Sequence, residues 1–432
     1  MTVLRDVEVE GARVDVRIVG GLITEVEPRL DRIRGEDEID GHGGALIPGL
    51  HDHHMHIRAI AAARASVDCR RGLAPLATAP GERVRGVGSA ESVDREVLDT
   101  LVPDRPVRVQ HRSGALWMLN SAALAELEAL GRLPYHPDVE RDERGRPTGR
   151  LWRLDHLLRD TWPPVGDVEA LGRELAAYGV TGVTDATPGL DEAPPLPQAV
   201  TLLGRRKLLL HDHDLPAFDE LAARVSDLHA SGLPVAVHCV TRESLLLTLA
   251  VLDDVGRLPG DRIEHAAVVP DRSALRGLLV VTQPAFVIER GEDYRRDVDP
   301  DDLPHLYPFA SLLARGVDVV ASSDAPYGTA DPWKVMRAAS GRDLVPEERV
   351  APVVALAGYL RGPDLGPVRR ASAASRLAQA APSRKPRKNA APFRARRLGA
   401  VGSADAFVAQ VLRRIVRRRT LEAEVEGLVL VV

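Results

Sequence analysis

The sequence concentrates histidine in one short segment, Pro48-Gly49-Leu50-His51-Asp52-His53-His54-Met55-His56, which holds four of the chain's 14 histidines. His54 and His56 are two residues apart at the predicted end of a strand, so their side chains project to the same side and can share one ion. Neutral imidazole is a good ligand for zinc and related metals. His51 and His53 have the opposite parity and are interpreted as supporting or structural residues. The segment predicts a metal site, with metal storage as the simpler alternative.

Two further histidines each end an apolar run, His238 after Leu233–Val237 and His265 after Arg262–Glu264. One histidine in such a position is more often a core or rim residue. Two at successive strand ends, downstream of the paired histidines, favour ligands to the same ion. Asp324 also closes an apolar run and could cap a helix. Beside four histidines, we expect it instead to hydrogen-bond the water on the metal and to take its proton.

Such side chains gather where short parallel strands alternate with helices, because the loops at the carboxyl ends of barrel strands meet on one face. The chain contains eight apolar runs that are candidate barrel strands: Ala45–Leu50, Val107–Gln110, Val180–Thr184, Lys207–Leu210, Val235–Val237, Arg262–Glu264, Leu279–Thr282 and Val317–Ala321. Between them, a helix is predicted from Asp167 to before Gly179, and another from Asp219 to Gly232. This rhythm predicts an α/β fold, a (β/α)8 TIM-type barrel over residues 46–360.

Residues 1–45 follow a different pattern. Apolar residues alternate with polar ones, and glycines mark the reversals at Gly11 and at Gly20-Gly21. Period-2 alternation with glycine at the turns is typical of hairpins. We predict a small β-sandwich domain that is built from this N-terminal segment and, incompletely, from the C-terminal one.

Charge and cysteine content narrow the class of protein. The net charge of −5 combines +14 over Arg361–Thr420, from 16 basic and 2 acidic residues, with −19 elsewhere. An acidic body argues against nucleic-acid binding. Cys69 and Cys239 are too few for a disulfide framework or a thiolate zinc site, and the sequence has neither an apolar signal core nor a membrane-length apolar stretch. We expect a cytoplasmic protein with a small-molecule substrate and with neither nucleic acid nor membrane as partner; a homodimer is left open.

The segment 361–432 is atypical. Ten basic residues and no acidic one lie between Arg369 and Arg397, among Ala, Ser and Pro, which is typical of a disordered basic tract. A return to the small β domain at Leu428–Val432 is left open. One hypothesis is a shifted reading frame, since GC-rich DNA read out of frame yields Arg, Ala and Pro. Binding of anionic polymers or membrane surfaces ranks lower.

The ordered motifs Pro-Gly-x-x-Asp-x-His-x-His, Ala-Val-His, Ile-Glu-His-Ala and Ser-Asp-Ala-Pro resemble the amidohydrolase superfamily, specifically the amidohydrolase 3 group of formamide deformylase-like proteins. The resemblance extends from about Leu4 to Ala357. It implies a divalent metal, zinc in the first place, as one or two ions. The metal ligands it implies are His54, His56, His238, His265 and Asp324, the last also as catalytic proton shuttle.

The resemblance further implies that Lys207 is a strand-end lysine that such proteins can carboxylate to bridge two metals. An unmodified lysine is a cation and would repel the metals. A surface lysine beside Arg205 and Arg206 is an equally simple interpretation, and His211 with His213 forms a competing pair of ligands.

The predicted reaction is metal-dependent hydrolysis of a non-peptide carbon-nitrogen bond in an amide, formamide or cyclic amide. Arg112, Trp117 and Asn120 are predicted to bind substrate, whereas Asp185 is interpreted as a rim salt-bridge residue. The alternatives are an impaired barrel that only binds metal or ligand, and a metal-dependent esterase or lactonase.

Overall fold

The computed structural model describes residues 1–9, 11–133, 135–154, 157–158, 166–212, 214–362, 424–425 and 428–431. Most of the basic segment beyond residue 362 therefore lies outside the described residues, as does His213. The chain divides into two compact units. Unit 1 contains residues 1–55, 172–323 and 328–432, and unit 2 contains residues 56–171 and 324–327.

The strands are β1 (Thr2–Val9), β2 (Ala12–Val19), β3 (Leu22–Glu27), β4 (Asp37–Asp40), β5 (Ala45–Pro48), β6 (Leu50–Met55), β7 (Val67–Asp68), β8 (Val84–Ser89), β9 (Val107–His111), β10 (Leu116–Leu119), β11 (Val139–Arg141), β12 (Pro147–Trp152), β13 (Val180–Pro188), β14 (Ala199–Gly204), β15 (Lys207–Leu209), β16 (Ala236–Cys239), β17 (Arg262–His265), β18 (Leu279–Thr282), β19 (Asp318–Ala321), β20 (Glu424–Val425) and β21 (Leu428–Val431).

The α-helices are α1 (Ile57–Arg64), α2 (Arg95–Leu101), α3 (Ser121–Ala129), α4 (Val168–Ala177), α5 (Phe218–Ala230), α6 (Arg242–Val255), α7 (Pro284–Glu289), α8 (Gly291–Asp297), α9 (Ala310–Ala314), α10 (Pro332–Gly341) and α11 (Pro352–Tyr359). Short 3-10 helices are Ala74–Thr78, Arg272–Leu275, Leu303–His305 and Pro346–Glu348. None of the described helices is long and apolar enough to cross a membrane.

The first part of unit 1 is a seven-stranded sheet in the order β20-β21-β5-β1-β2-β3, with β4 beside β1. The predicted hairpins are confirmed, because β1 pairs antiparallel with β2, and β2 with β3. Gly20 and Gly21 both have positive φ, as the two central residues of a type I′ turn require. The expectation of a β-sandwich is corrected, because among the described residues these strands form one sheet. Strand β21 joins this sheet by pairing with β5.

The second part of unit 1 is α/β, with parallel strands in two groups, β14-β13-β6 and β15-β16-β17-β18-β19. The described residues contain no closed barrel. The two predicted helices are confirmed as α4 and α5, and Asp167 accepts a hydrogen bond from Ala170 N at 2.7 Å at the start of α4. Leu279, Val281 and Val320 pack together as buried apolar residues between neighbouring strands.

Two predicted barrel strands differ from the structure. The run Ala45–Leu50 is split, because β5 ends at Pro48 in the small sheet and β6 begins at Leu50 in the parallel group. Gly49 lies between them, where an added Cβ would lie 2.0 Å from Thr181 Oγ1, so only glycine allows this close approach. The run Val107–Gln110 is β9, which belongs to the sheet β11-β12-β10-β9-β8-β7 of unit 2 and pairs antiparallel with β10. An apolar run predicts a strand but does not specify its neighbour.

Candidate metal centre

Strand β6 carries the histidine-rich segment, and all six of its residues are buried. His51 and His53 share one side, with ring centroids 4.8 Å apart. His51 Nε2 lies 2.9 Å from Thr184 Oγ1, and His53 Nε2 lies 3.0 Å from Gly358 O. Burial, followed by the positive charge of Arg262, lowers the pKa of His51 to about 3. Burial also lowers the pKa of His53 well below its ordinary value. Both rings are therefore neutral supports of the strand.

The other side of β6 carries Asp52 and His54. His54 Nδ1 forms a hydrogen bond with the carboxylate of Glu264 on β17. Because an ionised carboxylate only accepts hydrogen bonds, Nδ1 carries the proton and the lone pair of the ring lies on Nε2. Asp52 Oδ1 accepts from the backbone N–H of His54 at 3.1 Å and of Ser323 at 3.3 Å. The strand and its hydrogen bonds thus fix the orientation of His54, and its Nε2 carries the lone pair that can bind a metal.

Glu264 is fully buried, and its negative charge lies beside the positive charge of Arg262. Burial by itself would raise the pKa of Glu264, but Arg262, then His54 and Lys207, outweigh this effect and hold the pKa well below its ordinary value. Arg262 contacts both carboxylate oxygens and also donates to His53 O at 2.8 Å. A buried carboxylate with such partners stays ionised at neutral pH.

His265 and His238 lie beside His54. The ring centroids of His54 and His265 are 5.0 Å apart, and those of His238 and His265 are 4.4 Å apart. His265 Nδ1 lies 2.8 Å from Gln283 Oε1, and Gln283 Nε2 donates to Ser322 Oγ at 3.0 Å. This orientation of the amide places the proton of His265 on Nδ1 and the lone pair on Nε2. The structure therefore brings together three of the predicted ligand histidines, from β6, β16 and β17.

Lys207 is 5% exposed, so the interpretation as a surface lysine is wrong. It is also the first residue of β15 rather than its end, and the parallel register aligns it with Ala236, and Leu209 with His238. The apolar run Lys207–Leu210 already placed the start of the strand at Lys207, and Arg205 and Arg206 precede it in a two-residue turn. Its carboxylation stays a prediction. His213, one member of the competing pair, lies outside the described residues.

In unit 2, His56 and Asp324 form a pair. His56 Nε2 lies 3.3 Å from Asp324 Oδ1, and His56 N donates to Ala325 O at 2.9 Å. The ring of Tyr327 meets His56 edge-on, with centroids 5.7 Å apart. His56 follows Met55 of unit 1 directly along the chain, and Asp324 follows Ser323 of unit 1.

Three residues at these strand ends have left-handed backbone conformations although none is glycine: His265 (φ +70°), Ala266 (φ +47°) and Asp324 (φ +49°). Such conformations cost on the order of 1–3 kcal/mol each and are concentrated at functional sites. The strain marks the same strand ends that carry the predicted ligands.

Residues 37–372 match the model of the amidohydrolase family. The chain belongs to the amidohydrolase family. The family match and the relative described next support its assignment to the amidohydrolase 3 group. As a member of this family, the chain is a hydrolase. It is 27% identical to N-substituted formamide deformylase from Arthrobacter pascens over an alignment of 470 positions, gaps included, which covers 82% of this chain and 84% of that protein.

Solved structures with a similar fold include two uncharacterized metal-dependent hydrolases. The one from Pyrococcus furiosus has a TM-score of 0.61 and 20% identity, and covers 83% of this chain and 92% of that chain. The one from Pyrococcus horikoshii OT3 has a TM-score of 0.60 and 19% identity, and covers 88% of this chain and 93% of that chain. At these identities the likeness concerns the fold, and it agrees with a TIM-barrel-like α/β architecture for this amidohydrolase.

The predicted substrate-binding residues of this amidohydrolase all lie in unit 2. Arg112 is exposed in the loop between β9 and β10, and Trp117 is buried in β10 with the guanidinium carbons of Arg85 and Arg108 at 5.2 and 5.4 Å from its ring centroid. Asn120 caps α3. Its Oδ1 accepts from two backbone amides and its Nδ2 donates to two carbonyls. These four hydrogen bonds occupy the whole amide group. They do not favour contact of Asn120 with substrate, which stays a prediction.

The structure also adds residues that sequence reasoning missed. Glu264 and Gln283 contact two of the predicted ligand histidines, His54 and His265. The available signal was a polar residue inside or just after a buried strand, the same signal that identified His238. Tyr327 lies against the Arg112 loop, since a Cβ on Gly114 would meet its ring at 2.5 Å. Asp185 is fully buried in β13 and accepts from Thr187 N at 2.9 Å. Its interpretation as a rim residue is therefore wrong.

Proposed function

We propose that this protein is a metal-dependent hydrolase that cleaves a non-peptide carbon-nitrogen bond, in an amide, formamide or cyclic amide. The observation that carries the proposal is the group of His54, His238 and His265, in which His54 and His265 each have Nδ1 bound to a buried acceptor and Nε2 as the donor atom. Similarity to a protein named N-substituted formamide deformylase supports the class of bond.

The donor set fits a divalent metal of borderline softness, of which zinc is the first choice. We propose His54, His56, His238, His265 and Asp324 as its ligands. Lys207 would join them as a carbamate if two ions are bound. A metal held there would supply Lewis acidity to activate the attacking water and the scissile carbonyl.

The chain's own residues supply the proton transfers. Asp324 accepts the proton of the attacking water at its carboxylate and returns it to the departing nitrogen, because an amide anion is a poor leaving group. Arg112 is proposed to contact the substrate from its loop beside Tyr327. A cytoplasmic location and a small-molecule substrate remain our expectations.

The test combines metal analysis with turnover. Purified protein is analysed for metal content, stripped with a chelator, and assayed on a panel of N-substituted formamides, acyl amides and cyclic amides before and after addition of Zn²⁺. We expect bound metal, loss of turnover on stripping and recovery on addition. Full metal content without turnover on any amide would contradict the proposal, and turnover on esters or lactones alone would replace it with an esterase.

A further inference from the structure

We propose that Glu264 is a positioning residue for His54, which holds the imidazole ring through Nδ1 so that Nε2 is presented to the metal as a strengthened donor. The inference rests on the proposed function, because it concerns the same metal. It adds a residue that lies outside the ligand set and that would act through His54.

The geometry indicates that Glu264 holds the His54 ring rigidly and that their contact is not incidental. Glu264 and His54 are both fully buried, and they come from strands β17 and β6, 210 positions apart along the chain. Arg262, two residues before Glu264 on the same strand, binds its carboxylate. Arg262 also donates to His53 O at 2.8 Å. The pair on β17 thus binds the backbone of β6 beside the ligand as well as the side chain of the ligand itself.

His265 provides a comparison within the same unit. Its Nδ1 meets a neutral amide oxygen, that of Gln283, whereas Nδ1 of His54 meets an anionic carboxylate. A carboxylate that accepts the Nδ1 proton raises the basicity of Nε2 more than a neutral acceptor does, and loss of such a partner typically lowers metal affinity about 10- to 100-fold. The two histidines are therefore expected to be unequal donors, with His54 the stronger.

The decisive variant is Glu264→Gln, which gives His54 the kind of neutral partner that His265 already has. Affinity for Zn²⁺ is measured by competition with a chromophoric chelator, and the visible absorption spectrum of the Co²⁺-loaded protein is recorded. We expect about 10- to 100-fold weaker binding and a changed Co²⁺ spectrum. The matched control is Glu348→Gln, which removes another buried, arginine-paired carboxylate of unit 1. It should leave both readouts unchanged.

Folding is checked by the melting temperature of the metal-free proteins. If Glu264→Gln does not fold, Glu264→Asp retains the charge beside Arg262 and shortens the reach toward His54, and the same loss of affinity is expected. A folded variant with wild-type affinity and spectrum would overturn the inference while leaving the proposed function intact. Metal binding without hydrolysis by the wild type would contradict only the proposed function, and absence of metal binding would overturn both.

Discussion

Asp324 combines a left-handed backbone conformation with the carboxylate that we propose as the catalytic base. Its φ of +49° is left-handed, its carbonyl accepts from Tyr327 N at 2.9 Å, and its carboxylate lies 3.3 Å from His56 Nε2. A residue that keeps such a conformation without being glycine is held there by its surroundings. The backbone of Asp324 is therefore held in one conformation beside His56, which favours a fixed position for the carboxylate that we propose as the base.

We predict that Asp324→Asn retains metal but loses turnover by about 10²- to 10⁴-fold in kcat, the range for loss of a general acid-base group. The amide is nearly isosteric but cannot accept the proton, and the histidines still hold the ion. Metal content and kcat are measured on the same preparation, with the exposed Asp254→Asn as control. Unchanged kcat would remove Asp324 from proton transfer.

At the scale of elements, close packing between β6 and β13 holds the histidine-rich strand in place. A Cβ on Gly182 of β13 would lie 2.4 Å from His51 Nδ1. The two strands pair in parallel, with Gly182 opposite His51. Glycine therefore leaves the room that the imidazole occupies.

We predict that Gly182→Ala lowers the free energy of unfolding by about 1–3 kcal/mol, the usual cost of overpacking a buried site. Gly341→Ala is the control, because an added Cβ there has nothing within 4 Å. Its stability should be unchanged or slightly raised. Urea unfolding followed by circular dichroism measures both, and equal stabilities of the two variants would contradict the packing argument.

Glu348 connects another pair of elements. Its Oε2 accepts from the backbone N–H groups of Phe309 and Ser311 at the start of α9, each at 2.9 Å, and Arg272 lies 3.4 Å from Oε1. Burial by itself would raise the pKa of Glu348, but the hydrogen bonds from Ser311 and Phe309 and the charge of Arg272 outweigh it and lower the pKa. The carboxylate thus satisfies amides that the helix leaves without partners.

A lowered pKa in the folded state means that the unfolded chain binds the proton at higher pH. The stabilisation is therefore complete above the ordinary glutamate pKa and is lost as the pH falls through the folded value. We predict that Glu348→Gln costs about 1–2 kcal/mol at pH 7 and that this difference shrinks below about pH 4.5. Urea unfolding at several pH values checks this, with the exposed Glu347→Gln as control. A difference that is constant with pH would contradict the assignment.

At the scale of the whole molecule, the family match ends at residue 372, close to where the basic tract begins. The hypothesis of a shifted reading frame predicts that natively expressed protein lacks the amino-acid sequence from Arg369 to the end of the printed chain. In tryptic mass spectrometry, the peptide Leu398–Arg413 should be absent while peptides from residues 1–361 are abundant. Recombinant protein made from the printed sequence is the control that shows the peptide to be detectable. Its detection in the native protein would reject the hypothesis.

Features that depend on neighbouring residues could be predicted from the amino-acid sequence. The histidine motif, the helices α4 and α5 and the glycine turn of the β2–β3 hairpin all follow from periodicity, caps and turn residues within short windows. The ordered motifs also indicated the family. These features could be predicted because their causes lie within a few residues along the chain.

Contacts between distant segments set which strands became neighbours and which side chains met. Val107–Gln110 is a strand as predicted, but it lies in a different sheet, where it pairs parallel with β8 and antiparallel with β10. Glu264 reached His54 across 210 positions, and Lys207 proved buried at the start of its strand. Pairing and burial depend on surfaces contributed by distant segments, and no local pattern specifies which of several apolar strands will provide them.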